Sequence, residues 1–290
     1  MNTYLIVVAL FMAIAATAGI AQGGESTYVP TGEWSGTLRY GSFGGVGDCA
    51  YDSSGTLFIT DTAKDCVMAV TGQHVWRVYG TGGDGRGEFR SPEGIVIGPD
   101  GRIYVVDAGN HRVQVLAKDG SFRNAWSTGE CRRIAYDLAG AVYLVDKGAK
   151  RVMKYSLNGH LLTSWGTIGD GPGQFREPGG IAVDRRTGQV YVVDRSRCCI
   201  LVFTPGGRFV REWGTRGSEK GQFDDPVEVA VAPDGTVWVA DVGNDRIERF
   251  SSTGIWRGRI ALSEVTPGGM AVAPNGRLAV CDLQTRTVGV

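Results

Sequence analysis

The chain has 290 residues, 45 of them glycine, and 30 Lys plus Arg balanced by 30 Asp plus Glu. That length suits one all-β domain, and the glycine content suits a fold with many turns. Neutrality without a basic run argues against the electrostatic footprint that holds nucleic acid, so no nucleic-acid partner is expected. The six cysteines fit an oxidising compartment but are fewer than a disulfide scaffold carries.

In chain order, residues 4–21 (YLIVVALFMAIAATAGIA) are apolar and uncharged. They read as a secretory signal or, since no Lys or Arg precedes them, as a membrane anchor. Both readings place the remainder outside the cytoplasm. Residues 22–35 read as a tether. Residues 36–42 (GTLRYGS) resemble the strand-like run VWRVYGT at 75–81.

A phrase then returns six times. Each copy holds an apolar run ending in aspartate: Asp61, Asp107, Asp146, Asp194, Asp241 and Asp282. A strand-like run precedes each, such as GIVI at 94–97 and GIAV at 180–183, and hairpin turns such as Pro-Asp-Gly join the two. A third run follows the aspartate, as in RVQVL at 112–116. A fourth ends on a bulky residue. Asp107 to Trp126, Asp146 to Trp165, Asp194 to Trp213 and Asp241 to Ile260 are each 19 residues apart. A repeat of four strands with constant spacing predicts an all-β, six-bladed β-propeller of four-stranded antiparallel blades. The last copy stops short after Asp282. The expected remedy is that the N-terminal strand 36–42 completes the last blade, giving a propeller over 36–290.

The lead-in GDGPGQFREPGGIAVDRRTGQVYVVD at 169–194, with DAGNHRVQVL at 107–116, resembles the NHL repeat. The resemblance spans about 36–290 and is closest in blades 2, 4 and 5. It implies a six-bladed ring with binding surfaces and no single activity. Similar rings include peptide-amidating lyases, which use a histidine-held zinc. Here His74 and His160 sit at third-to-fourth-strand turns, on the opposite face from His111, so they do not converge. Gluconolactonase-like rings place a divalent ion at the starts of inner strands, where only Glu93 fits. The chain is expected to be a non-catalytic binding scaffold with no cofactor, a metal-dependent propeller lyase or lactonase being the less favoured alternative and calcium at Glu93 with Asp48 or Glu228 the one candidate ion.

The two residues before each inner strand should ring the channel mouth, and glycine is the default there. The departures are Asp48, Glu93, Arg132, Arg133 and Glu228. They are expected to form a mixed-charge ring that either pairs internally or holds a small polar or anionic ligand. A protein or peptide partner on the same face is the other expectation. The six repeated aspartates read as scaffold, accepting backbone hydrogen bonds in the turns that follow. Cys131 with Cys198, and Cys49 with Cys281, are the candidate disulfides, with buried free thiols as the alternative. Strand exchange through the N-terminal segment, building a homo-oligomer or polymer, is the competing role.

Overall fold

The computed structural model describes residues 43–71, 75–262 and 265–289, together with the two-residue strands Ser26–Thr27 and Glu33–Trp34. The 4–21 run, the strand expected at 36–42 and His74 lie outside the described residues. Antiparallel sheets stand around a central channel, each starting with an inner strand: Val46–Tyr51, Pro92–Ile97, Cys131–Tyr136, Pro178–Val183, Pro226–Val231 and Pro267–Val272. Neighbouring inner strands lie side by side in chain order, and the last returns to the first.

Burial is greatest in the second strand of each blade and falls toward the outer edge. The second strands Leu57–Asp61, Ile103–Asp107 and Val190–Asp194 are buried at every position, because a neighbouring sheet covers each face. An outer strand such as Phe209–Trp213 alternates half-buried and exposed residues. The core is divided into apolar clusters that fill the seams between adjacent blades. One seam joins Tyr143 and Val145 of blade 3 to Val192 and Leu201 of blade 4. Phe89, Phe175 and Phe223, at the ends of the glycine-rich lead-ins, are fully buried. Burial of a side chain of this size contributes about 1.5–3 kcal/mol.

The constant 19-residue spacing has a packing origin. Trp126 of blade 3's predecessor and Trp165 of blade 3 each lie on the glycine of the next blade's third-to-fourth-strand turn. A Cβ at Gly159 would come within 2.6 Å of the Trp126 ring, and one at Gly207 within 2.5 Å of the Trp165 ring. Both glycines have φ above +80°, a region that suits glycine.

The expectation of six four-stranded blades is corrected. Among the described residues, five contiguous runs of chain each form a complete four-stranded blade, one of them widened to five strands by Ser26–Thr27. The chain from 267 onward supplies only the strands Pro267–Val272, Leu278–Asp282 and the three-residue Thr287–Gly289. The partner on this partial sheet's outer edge is Glu33–Trp34, pairing antiparallel with Thr287–Gly289, upstream of the expected 36–42. The position in blade 5 that matches Trp126 and Trp165 is Ile260. Ser26–Thr27 runs parallel to the outer strand of blade 5, against Ile260 and Ala261.

The disulfide expectation is also corrected: all six cysteines are buried free thiols. Cys131 packs in the seam between blades 2 and 3 and Cys198 in that between blades 4 and 5, so the two cannot meet. Cys49 and Cys281 share a seam, where they meet as hydrogen-bonded thiols. Burial pushes the Cys66 thiol up to about 11 and the Cys131 and Cys199 thiols up to about 12, which keeps them unreactive.

Candidate functional site

The channel is a cavity of about 470 Å³ lined by the inner strands. Its wall is mostly small and apolar, with Ala50, Ile95, Ala135, Ile181, Ala230 and Met270 among the lining residues. Charged residues line both ends, Asp48, Arg133 and Glu228 where the inner strands begin and Asp184, Arg185 and Arg186 just past the end of one of them.

The third residue of each inner strand, at the mouth where these strands begin, is in chain order Asp48, Gly94, Arg133, Gly180, Glu228 and Gly269. Charged residues and glycines alternate around the ring, and the alternation is steric. A Cβ at Gly180 would lie 2.6 Å from the Glu228 Cα, and one at Gly269 the same distance from the Asp48 Cα. One at Gly94 would lie 2.7 Å from the Arg132 carbonyl oxygen and 3.1 Å from the Arg133 Cα. Each glycine thus leaves room for the charged residue of the next blade to reach the axis.

These charges are buried and coupled. Arg133 Nε lies 2.5 Å from Glu228 Oε2, while Arg133 Nη1 stands 3.7 Å from Glu93 Oε2, beyond hydrogen-bond range. Arg132 pairs with the other oxygen of Glu93. Glu228 Oε1 accepts the Val229 N–H at 3.1 Å. Asp48 uses Oδ1 to accept the Cys49 N–H at 2.8 Å and Oδ2 to accept the Ile95 N–H at 3.3 Å. The Asp48 N–H donates to Thr60 Oγ1 at 2.9 Å, and that hydroxyl donates to the Glu93 carbonyl at 2.6 Å, tying blade 1 to blade 2.

Burial raises the Glu228 carboxyl to about 7, against the pull of Arg133, with Asp48 adding to the rise. Burial likewise raises Asp48 to about 6, again opposed by Arg133. Burial works against the Arg133 charge, but Glu228, Asp48 and Glu93 together hold its pKa above the usual arginine value. The side-chain nitrogen Nη1 of Arg133 is buried and makes no hydrogen bond among the described residues.

All five mouth residues singled out in the sequence therefore lie together. The arginines are already engaged by Glu93 and Glu228. Asp48, Glu93 and Glu228 do not form a metal-holding group, since no cluster of three His, Cys, Asp or Glu suited to a metal occurs among the described residues. His111 and His160 are exposed.

Sequence reasoning missed a second tier at this mouth, formed by the residue after each repeated aspartate: Thr62, Ala108, Lys147, Arg195, Val242 and Leu283. This residue folds back over the first mouth position of its own blade. A Cβ at Gly47 would meet Thr62 at 2.8 Å, one at Gly179 would meet Arg195 at 3.4 Å, and one at Gly268 would meet Leu283 at 2.6 Å. The signal was available in the register after each aspartate, where only blades 3 and 4 carry a cation.

The repeated aspartates hold these turns. Asp61 accepts from the Gly44 and Gly45 N–H groups at 2.8 and 3.0 Å, and Asp194 from Arg176 and Glu177 at 2.7 and 3.1 Å. Asp107 accepts the Arg90 N–H and the Arg112 Nε–H, both at 2.7 Å. Asp241 accepts the Asp224 N–H at 2.7 Å and the Arg246 Nε–H at 2.8 Å. Asp146 accepts the Ala149 N–H at 3.0 Å, and Asp282 the Thr266 N–H at 3.1 Å.

With the geometry in hand, the chain can be set beside known proteins. The NHL repeat family model matches residues 89–116, 175–203 and 223–250, the stretches from buried phenylalanine to third strand in blades 2, 4 and 5. No curated protein matches the chain in sequence. Among solved structures, a catalytically inactive virginiamycin B lyase from Staphylococcus aureus with quinupristin shares 16% identity at a TM-score of 0.64, over 84% of this chain and 79% of that one. The selenomethionine-substituted form of that lyase gives 16% and 0.63 over the same shares. A streptogramin B lyase gives 12% and 0.66, over 89% of this chain and 95% of that one. At these identities the likeness is one of fold. The chain is a β-propeller that carries NHL repeats.

Proposed function

We propose that this propeller is a binding module that takes a small polar ligand at the charged mouth of its channel. The observation that carries the reading is the alternation at the axis. Three glycines make room for three buried charged side chains, Asp48, Arg133 and Glu228, and the group they form leaves a buried Arg133 N–H without a hydrogen-bond partner. Unpaired buried polar atoms are uncommon, and Glu228 Oε2 is a second one at the same mouth. The cavity beneath is of small-molecule size, since such sites run to about 300–1,000 Å³. Rigid strands hold the charges in place, so little ordering is needed on binding.

The lyase activity named for the similar structures belongs to those proteins, and their likeness to this chain is one of fold. What supports binding over chemistry here is that both mouth arginines are paired with Glu93 and Glu228, while the two described histidines are exposed. The test is an NMR screen of a small-fragment library against the labelled chain. Hits should move the amides of Cys49, Ile95 and Val229, which donate to Asp48 and Glu228, and should weaken in Arg133→Gln. Hits that cluster away from the mouth, or that ignore the substitution, would overturn the reading.

A further inference from the structure

The far end of the channel is built differently from the charged mouth. The fourth and fifth residues of every inner strand are apolar, from Cys49 and Ala50 to Met270 and Ala271, and all twelve line the cavity. The sixth residues, Tyr51, Ile97, Tyr136, Val183, Val231 and Val272, line it at the far end. Beyond them, the turns into the second strands add Leu138, 60% exposed, and Pro233 to the wall. Three charged residues stand at this end, and two of them pair with each other. Buried Asp184 accepts the Arg186 N–H at 2.9 Å and the Arg186 guanidinium N–H groups at 3.3 and 3.2 Å. Arg185 is the third. It leans from blade 4 onto blade 3, its guanidinium carbon 4.4 Å from the centre of the Tyr136 ring. It is exposed, lines the cavity, and makes no ion pair or hydrogen bond among the described residues. The ring holds the guanidinium at the opening while its N–H edge stays available to an anion. Three strand residues at about 3.3 Å each separate the charged ring from this end, so the apolar bore is about 10 Å deep. One exposed arginine gives an anion little affinity by itself. An anion whose apolar chain also fills the bore gains with every buried methylene.

We propose that this end of the channel takes a medium-chain aliphatic carboxylate, its head group on Arg185 and its chain inside the bore, pointing toward the charged ring. The site lies at the other end of the inner strands from the charged mouth and stands without it. The cavity of about 470 Å³ is of small-molecule size.

The probes are butanoate, hexanoate and octanoate, with octanamide as the uncharged control, titrated into the labelled full chain. The Tyr136, Leu138 and Arg186 amides report on this end. Affinity should rise about fourfold with each added methylene, the gain expected when that group is buried. Octanoate should bind about tenfold more tightly than octanamide, the difference expected when a charged hydrogen-bonding group is lost. Arg185→Gln should abolish that advantage and leave octanamide binding unchanged, and Arg185→Lys should retain it. Intermolecular NOEs should join the terminal methyl of octanoate to bore-lining residues such as Ala182 and Ala230. Affinity independent of chain length, equal binding of octanoate and octanamide, or indifference of octanoate to Arg185→Gln would overturn the proposal. So would the absence of any octanoate shift, or NOEs confined to Leu138, which would put the chain on the outer surface. Fragments at the charged mouth are judged by Arg133→Gln and octanoate by Arg185→Gln, so either site can fail while the other stands.

Discussion

Odd and even blades meet the channel in opposite ways. Blades 1, 3 and 5 send Asp48, Arg133 and Glu228 to the axis, whereas blades 2, 4 and the partial sheet offer Gly94, Gly180 and Gly269. Elsewhere the blades are near copies, with the same aspartate holding the same turn. The copied positions build the ring, and the one alternating position gives its mouth a chemistry that a uniform repeat would lack.

The strongest way to break the contrast is Arg133→Met. It removes the cation shared by Glu228, Asp48 and Glu93, leaving buried carboxylates without a partner. Loss of one member of a buried charge group is expected to destabilise by about 3–5 kcal/mol. Denaturant unfolding at pH 8 should show it, and the loss should shrink at pH 5 as the carboxyls take up protons.

Next comes Gly180→Ala on the even side. The new methyl would press on the Glu228 backbone at 2.6 Å, which has nowhere to move. Overpacking of this kind is expected to destabilise by about 1–3 kcal/mol. Gly206→Ala is the control, because a Cβ there meets nothing within 4 Å and the residue does not have positive φ. Its effect should stay within about 0.5 kcal/mol.

A gentler probe is pH. Burial raises Asp48 to about 6 and Glu228 to about 7, above their ordinary values of 3.8 and 4.5. The folded protein therefore binds more protons than the unfolded chain between roughly pH 4 and pH 7. The stability from these groups is fully present below pH 4 and is lost as pH rises through 6 and 7. Unfolding midpoints should fall over that interval and level off above it.

Glu248 adds to the same slope. Burial raises it to about 7, with Arg246 opposing and Asp241 adding. It occupies the slot that Gln114 fills in blade 2, where the amide donates to Asp107 Oδ2 at 3.1 Å. Glu248→Gln should thus stabilise at pH 8 by about 1 kcal/mol and flatten the slope, without touching the mouth.

Much of this was legible in the sequence because a repeat reports its own deviations. The aspartate register and the 19-residue spacing gave the blades. Asp48, Glu93, Arg132, Arg133 and Glu228 stood out against glycine in one slot. Lys147 did not, since its slot varies from threonine to leucine and gains meaning only when the turn folds over the mouth. An N-terminal segment does pair with the outer edge of the last sheet, through Glu33–Trp34, while the expected 36–42 lies outside the described residues. The cysteine pairing failed for a spatial reason. Position along the chain names the blade, but contact depends on which seam a side chain enters, and Cys131 and Cys198 enter different ones.

The most direct test of the central claim is a side-chain carboxyl NMR titration of Asp48 and Glu228 in the native chain and in Arg133→Met. A coupled cluster at the axis predicts midpoints near 6 and 7 in the native chain, both moving upward once the arginine is gone. Midpoints near 4 for both groups, unchanged by the substitution, would mean that the odd-blade charges stand apart in solvent and that the mouth is not the site described.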